Sequence, residues 1–386
     1  MTVVAYPYRA RAWWGDVAVA ESDSCLCLET DGAPSVLWFP EADMELSRLD
    51  EEGVRSICAD PREDLASVRG YRAFDEEKVR VEVLDGSPEG DARDLTVKRF
   101  PTWGDASHLV DILDVRADGE GRFLSSARTD GRRPVVEGSQ MLGQAVVAAG
   151  RLLPDRRVVS AGMLFLRAAD AHDPLQLDLA ELSMGRTFAA LSARTTQHGR
   201  CCAAGTLLLD ATAPALVSHA VSAPDVPGPY ECPPYDMGVT GRDVRVVDDA
   251  YTNDAAAPAG PPVLDCWVRF RDLPDDPALH AGLLAQFTGH MSIAAALRPH
   301  EGIGQAEAHR TLSMGINAIN LSLHHEVRAD EWMLYHHHST FAGDGMTHSE
   351  CRVHTEAGVL LASFTVDAMV RPFPPDGRTR DERRAL

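Results

Sequence analysis

The chain has 386 residues, and its charged side chains give a formal net charge of −21 at pH 7. This acidic balance argues against a nucleic-acid backbone or an anionic membrane as a partner, although a local arginine cluster can still bind a phosphate-bearing small molecule. The length predicts two or three domains, and an apolar content of 45% is enough for sizeable hydrophobic cores.

The eight cysteines are spread along the chain without a C-x-x-C pair, which predicts reduced thiols and no zinc ribbon. The N-terminal segment has no apolar stretch typical of a signal peptide. No apolar run approaches the length of a membrane span. We therefore expect a cytoplasmic protein without a membrane-spanning segment.

Residues 1–95 predict a small β-rich domain of unknown function. The segment Lys78–Leu84 alternates cleanly, with valines at positions 79, 81 and 83 on one face, as in a half-buried strand. The turn-rich, acidic residues 86–91 predict a linker.

The remainder contains an internal repeat with a period of about 160 residues, which is too long for a solenoid. Residues 136–154 and 283–299 are rich in Ala, Leu and Val, and each predicts a buried helix that ends at a proline. Each is followed by three strand patterns, a turn at Gly199 or Gly358, and a fourth strand. The sequence thus predicts two copies of one helix-plus-sheet unit, at 105–215 and 263–373. A proline-rich crossover without regular structure joins them at 216–262, and a loose tail follows at 374–386.

Four motifs within the repeat resemble those of the bacterial acyl-CoA thioesterase II family, in the same order and with similar gaps. They are Val136–Ala145, Gly185–Phe188 with Ala193-Arg194, Leu297–His300 with Gly302–Gly304, and Glu331–Tyr335. The resemblance extends from about residue 105 to 373. It implies an α+β double hotdog fold, in which each half wraps a curved antiparallel sheet around one central helix.

The N-terminal region is similar to a family of small bacterial domains of unknown function, family 427 of that series. The similar segments are Trp14-Gly15, Val19–Ser22, Leu37–Pro40 with Asp43, and Gly70–Asp75. This resemblance covers roughly residues 10–85 and implies no particular chemistry.

The thioesterase resemblance implies three catalytic groups that orient a water molecule: an Asp on the second central helix, a Thr or Ser on the next strand, and a Gln on the last strand. The corresponding positions in this chain are Gly289, Ile316 and Asp367. A shift of one residue would place Val366 at the Gln position, and such a shift changes the face of a strand.

Because these positions differ, we predict a replacement set. His290 is the candidate general base, Asp367 would orient it, and Ser313 or Asn317 would hold the water or the carbonyl. The alternatives are that His290 is a hydrogen-bonded core histidine in an inactive site, and that Asp367 is a solvated strand end.

Candidate substrate contacts are Gly289 and the start of the first central helix at Ser139 and Gln140, where backbone amides can meet a carbonyl or a phosphate. Helix capping would explain Ser139 equally well. Arg298 and Arg310 are candidate contacts for the phosphates of coenzyme A, with surface salt bridges as the alternative. We predict no metal site and no cofactor beyond the coenzyme A of the substrate.

The expected function is that of an acyl-CoA thioesterase-like hydrolase with an atypical active site, which cleaves an acyl thioester to a carboxylate and a free thiol. One alternative is a non-catalytic protein that binds acyl-CoA or an acyl chain. Another is a hotdog dehydratase or hydratase that acts on an acyl thioester. The resemblance also implies a homo-oligomer.

Overall fold

The structure is a computed structural model that describes most of the chain in two compact units. One unit contains Met1–Leu109 and Pro229–Arg245, and the other contains Val110–Gly228 and Val246–Leu386. The described residues are 2–5, 9–29, 36–45, 56–58, 68–74, 79–84, 94–95, 106–125, 135–171, 173–233, 235, 242–251, 257–271, 273–304 and 312–372.

Short strands dominate the first unit, and long strands around a few helices make up the second. The strands are β1 Thr2–Ala5, β2 Arg9–Trp14, β3 Val17–Ser22, β4 Leu26–Glu29, β5 Val36–Pro40, β6 Ser56–Cys58, β7 Tyr71–Phe74, β8 Arg80–Leu84, β9 Asp94–Leu95, β10 Val115–Ala117, β11 Arg122–Ser125, β12 Val135–Val136, β13 Arg157–Phe165, β14 Ala169–Asp170, β15 Leu175–Met184, β16 Phe188–Gln197, β17 Arg200–Asp210, β18 Arg242–Val246, β19 Val263–Phe270, β20 Leu312–Leu323, β21 Met333–Gly343, β22 Met346–Thr355 and β23 Leu360–Pro372. The α-helices are α1 Ala106–Leu113, α2 Gly138–Leu152, α3 Pro277–Phe287 and α4 Ser292–Leu297.

The first unit contains two antiparallel sheets, with strand orders β1-β4-β5-β7-β6 and β3-β2-β8-β9. Phe39 is fully buried and packs edge-to-face on Phe74, with ring centroids 5.4 Å apart. Val79 is buried in the same core, and Val81 packs against it, as the alternating pattern predicts. The predicted linker at 86–91 lies outside the described residues.

The predicted absence of regular structure between residues 216 and 262 is wrong at β18. Its sequence, RDVRV, is buried at every position. Val244 and Val246 recur at a spacing of two, which fits a strand. The compact units also divide this stretch, because Pro229–Arg245 groups with the N-terminal unit.

The second unit is built on one continuous antiparallel sheet whose order runs β10-β11-β15-β16-β17-β13-β20-β23-β22-β21-β19. The two repeats meet at its centre, where Ser160 on β13 pairs with Ser322 on β20. The order is mirrored about this junction, since β17, β16 and β15 on one side correspond to β23, β22 and β21 on the other. The predicted pair of helix-plus-sheet units is therefore present.

The central helices cover one face of this sheet and pack closely on each other. A Cβ atom added to Gly143 on α2 would lie 2.7 Å from the carbonyl oxygen of Gly282 on α3, and a Cβ on Gly282 would overlap Val147. Only glycine permits so close an approach of two helix backbones. This contact fixes the position of the N-terminal turn of α2 relative to the C-terminal end of α3.

The second central helix is not the single helix predicted over residues 283–299. Asp276 caps α3 by accepting hydrogen bonds from two backbone amides of its first turn, so the helix begins earlier, at Pro277. It ends at Phe287, and α4 begins only at Ser292. Between them, Met291 adopts a left-handed conformation with φ of +67°. His290 thus lies in a turn between two helices.

Candidate active site

The turn that carries His290 has a buried side and a partly exposed side, and His290 lies toward the exposed side. Its side chain is 12% exposed, and its ring centroid is 4.9 Å from that of Phe287. Thr288, two residues earlier, is fully buried and donates a hydrogen bond to the carbonyl oxygen of Ala285. One face of the imidazole therefore packs on an aromatic ring while a small part remains accessible.

Two polar side chains contact the Nε2 edge of His290. Glu137 Oε2 lies 3.8 Å from this nitrogen, and Gln286 Nε2 lies 3.4 Å from it. Glu137 immediately precedes α2, whereas Gln286 is one helical turn before His290. A carboxylate beside one nitrogen orients the imidazole and stabilises its protonated form.

The N-terminal turn of α2 lies directly against Gly289. A Cβ atom added to Gly289 would overlap Ser139 Oγ, and it would lie 2.6 Å from Ser139 Cβ and 3.5 Å from Ile316 Cδ1. A side chain at position 289 is therefore incompatible with Ser139. This contact brings together Ser139, Gly289 and His290, three residues that the sequence analysis assigned to the candidate site.

The start of α2 supplies backbone hydrogen-bond donors near Gly289 and His290. Glu137 is the N-cap residue, and its side chain makes no capping hydrogen bond. Its carbonyl oxygen accepts hydrogen bonds from the amides of Gln140 and Met141, so those two donors are used within the helix. The preceding amides, of Gly138 and Ser139, have no intrahelical acceptor and carry the positive end of the helix dipole. They suit an oxygen atom that develops negative charge.

The structure does not bring Asp367 to His290. Val366 is buried on the helix-facing side of β23, and Asp367 lies on the opposite face with 43% of its side chain exposed. The carboxylate of Asp367 accepts a hydrogen bond from His348 Nδ1 at 2.7 Å. The alternation along β23 thus turns Asp367 away from the central helices.

Ser313 and Asn317 also lie away from the helix-facing side of their strand. Ile316 pairs with the buried Ala368 and reaches Gly289. Asn317 is the unpaired residue of a bulge in β20 and is exposed, and Ser313 pairs with the exposed Arg371. Of the positions to which the resemblance assigns the catalytic groups, Gly289 and Ile316 are apolar where the helices pack, and Asp367 lies on the opposite face of its strand.

The two arginines predicted to contact the phosphates of coenzyme A have different outcomes. Arg298 donates to the carbonyl oxygen of Val263, while Gly260 donates to the carbonyl oxygen of Arg298. Burial lowers the pKa of Arg298, although the nearby Asp248 and Asp265 oppose that effect. This side chain fastens α4 to the start of β19. Arg310 lies outside the described residues, and Gln140 is buried in the first turn of α2.

A cluster of buried polar side chains on β21 and β22 contacts Ser292, which directly follows the turn that carries His290. Ser292 Oγ lies 3.1 Å from His337 Nδ1, and Cys351 Sγ lies 3.4 Å from the same nitrogen. Ser349 donates to the carbonyl oxygen of Ser292. Burial, together with the neighbouring His336 and His290, lowers the pKa of His337 to about 3. His337 is therefore neutral, and it can accept a hydrogen bond from the Ser292 hydroxyl.

His336 and His338 on β21 have different surroundings. His336 Nδ1 lies 2.7 Å from Asp265 Oδ1, and His338 is exposed farther along β21. Among the described residues, no group of three or more His, Cys, Asp or Glu side chains could hold a metal ion. Within the same residues, no helix is long and apolar enough to cross a membrane.

Sequence reasoning missed two members of the site. Glu137 was visible only as the residue before a predicted helix, and Gln286 only as the residue four positions before His290, on the same helical face. Glu137 meets His290 through the packing of one repeat against the other, which no local pattern encodes. The sequence did identify His290, Gly289 and Ser139, which the structure places together.

The family comparison covers both repeats. The acyl-CoA thioesterase N-terminal domain matches residues 128–209, and the acyl-CoA thioesterase C-terminal domain matches residues 219–370. Together these ranges span more than half of the chain. The human protein named acyl-coenzyme A thioesterase 8 is 27% identical over 273 residues, which cover 61% of this chain and 81% of that protein.

Solved structures agree in fold. An acyl-CoA thioesterase II from Mycobacterium marinum is 27% identical with a TM-score of 0.58, and the match covers 69% of this chain and 99% of that one. A tesB protein from Mycobacterium avium subspecies paratuberculosis has the same TM-score at 19% identity, covering 70% of this chain and 100% of that one. With both halves of the double hotdog matched in order, this chain belongs to the acyl-CoA thioesterase family.

Proposed function

We propose that this chain hydrolyses acyl-CoA thioesters with His290 as general base and Glu137 as the carboxylate that orients it. The observation that carries this proposal is the position of His290 Nε2, 3.8 Å from Glu137 Oε2, beside the N-terminal turn of α2. Catalytic contacts are often longer before substrate binds than in the reacting complex.

The roles follow from the geometry. When the imidazole carries its proton on Nε2, with Glu137 and the amide oxygen of a rotated Gln286 side chain as acceptors, its lone pair is on Nδ1, which can accept a proton from water. The water oxygen then forms a bond to the thioester carbonyl carbon, and the carbonyl oxygen becomes an oxyanion. The amides of Gly138 and Ser139 would stabilise this oxyanion.

The second step returns the proton. As the tetrahedral intermediate collapses, the carbon–sulfur bond breaks, and the departing thiolate takes the proton from the His290 imidazolium. The products are a carboxylic acid, which ionises, and the free thiol of coenzyme A. The step consumes one water molecule and needs no cofactor.

Gly289 and Ile316 offer no polar side chain, and Asp367 faces away from the central helices, so the water is not held as the family pattern implies. His290 provides a base in the same place, since it follows Gly289 directly in the chain. A His with a carboxylate partner is a competent base near neutral pH.

The experiment is thiol release from a panel of acyl-CoAs with short, long and aromatic acyl groups, together with product analysis. We expect stoichiometric release of free thiol and carboxylate from at least one member of the panel. Formation of an enoyl or hydroxyacyl thioester with no free thiol would contradict hydrolysis and indicate a dehydratase or hydratase. A rise in melting temperature with acyl-CoA but without turnover would indicate a binding protein.

We further propose that the chain acts in the cytoplasm as a homo-oligomer. The described cysteines, among them Cys25, Cys201, Cys202 and Cys351, are thiols rather than disulfides, as expected in a reducing compartment. Leu164 and Phe188 are 55% and 52% exposed on strands of the first repeat, and such apolar surface favours association. Light scattering that gives the mass of one chain at micromolar concentration would contradict the oligomer.

A further inference from the structure

Ser139 carries a buried hydroxyl that no local structure explains. The residue is 1% exposed, and its Oγ has no hydrogen-bond partner within the described part of the chain. The N-cap of α2 is Glu137, so Ser139 is at the second helical position and does not cap the helix. A buried hydroxyl left without a partner destabilises the folded state. Such groups in native proteins call for an explanation.

The hydroxyl is aimed at the place where the proposed chemistry occurs. Ser139 Oγ occupies the space that a side chain on Gly289 would need, and Gly289 is the neighbour of His290. The same turn of α2 presents the positive end of the helix dipole. The hydroxyl is therefore one more donor beside the Gly138 and Ser139 amides.

We infer that Ser139 Oγ donates a hydrogen bond to the thioester carbonyl oxygen and stabilises the oxyanion that forms there. This inference rests on the proposed function and extends it from backbone donors to a side chain. Its partner arrives with the substrate, which accounts for the absence of a protein acceptor. A preorganised donor of this kind in an acyl-transfer site contributes about a hundredfold or more to turnover.

The first test is Ser139→Ala, which keeps the Cβ atom that packs near Gly289 and removes only the hydroxyl. We expect kcat to fall about a hundredfold, with little change in KM and a melting temperature that is equal or higher, because an unsatisfied polar group has been removed. Ser125→Ala is the matched control. Ser125 on β11 is 3% exposed, and its Oγ likewise has no partner among the described residues. We expect this variant to retain wild-type kcat.

The second test moves the hydroxyl from α2 to the turn between α3 and α4. In Ser139→Gly/Gly289→Ser, the side chain at 289 enters the space that Ser139 vacates, so a hydroxyl occupies nearly the same position. We expect this double variant to exceed Ser139→Gly alone in kcat. Gly289→Ser alone should unfold at lower temperature, because its side chain collides with Ser139.

These outcomes separate the two proposals. If the wild type releases thiol and Ser139→Ala is as fast, the role of Ser139 is wrong while thioester hydrolysis stands. A folded double variant no faster than Ser139→Gly would also contradict that role. If the wild type releases no thiol from any acyl-CoA, both proposals fail.

Discussion

His337 ties the sheet to the turn that carries His290. Its Nδ1 lies 3.1 Å from the hydroxyl of Ser292, the first residue of α4. Its ring stacks on Tyr335, whose hydroxyl donates to the carbonyl oxygen of Leu284 on α3. The side chain is completely buried, so both contacts lie in a medium of low dielectric constant, where a charge on the imidazole is costly.

Acid should destabilise the protein through this histidine. Burial lowers the pKa of His337 from 6.5 to about 3, so below pH 6.5 the unfolded state binds a proton that the folded state does not. The free energy of unfolding should then fall by about 1.4 kcal/mol for each pH unit between 6.5 and about 3. In His337→Gln we expect the free energy of unfolding to fall less steeply with decreasing pH, by about that slope.

Urea unfolding at a series of pH values measures this effect. His338→Gln, at an exposed position on the same strand, is the control and should keep the wild-type slope. If the free energy of unfolding depends on pH in the same way in the wild type and in His337→Gln, the neutral, buried state of His337 is contradicted.

At the scale of elements, glycine sets the distance between α2 and α3. A Cβ atom on Gly282 would overlap Val147 Cγ2 and would lie 3.1 Å from the carbonyl oxygen of Gly143. Alanine is the better helix former by about 1 kcal/mol. Overpacking of a core costs about 1–3 kcal/mol, and at this contact the nearest backbone cannot move without shifting a helix.

We therefore expect Gly282→Ala to lower the free energy of unfolding by about 1–3 kcal/mol. Val147→Ala opens space at the same contact, so the double variant should be more stable than the sum of the single changes implies. Chemical denaturation of the four proteins measures the coupling. Strict additivity, or a stabilised Gly282→Ala, would show that the helices are not in contact there.

The same elements show which parts of the fold the sequence could predict. Apolar periodicity located α2 and the four strands that follow the central helix in each repeat, because burial on one or all sides leaves a clear pattern. It missed the break between α3 and α4, since Met291 interrupts the helix through its left-handed backbone conformation while the apolar run continues. It also missed β18, whose two valines stand among polar and proline-rich residues.

At the scale of the whole second unit, the candidate site belongs to neither repeat alone. Glu137 and Ser139 come from the first repeat, and Gly289 and His290 from the second. The junction of β13 with β20 and the contact of α2 with α3 bring them together. This is why the sequence could nominate His290 and Ser139, whereas the carboxylate that it nominated, Asp367, lies beside His348 instead. Glu137 approaches His290 only in the folded chain.

The central claim is that His290 is the general base, and thiol release by His290→Ala tests it most directly. His348→Ala is the control, because it also removes a histidine beside a carboxylate, on the far face of the sheet. We predict that kcat/KM on the best acyl-CoA falls about a hundredfold or more in His290→Ala and stays at the wild-type value in His348→Ala. A folded His290→Ala variant that retains full kcat/KM would contradict the account.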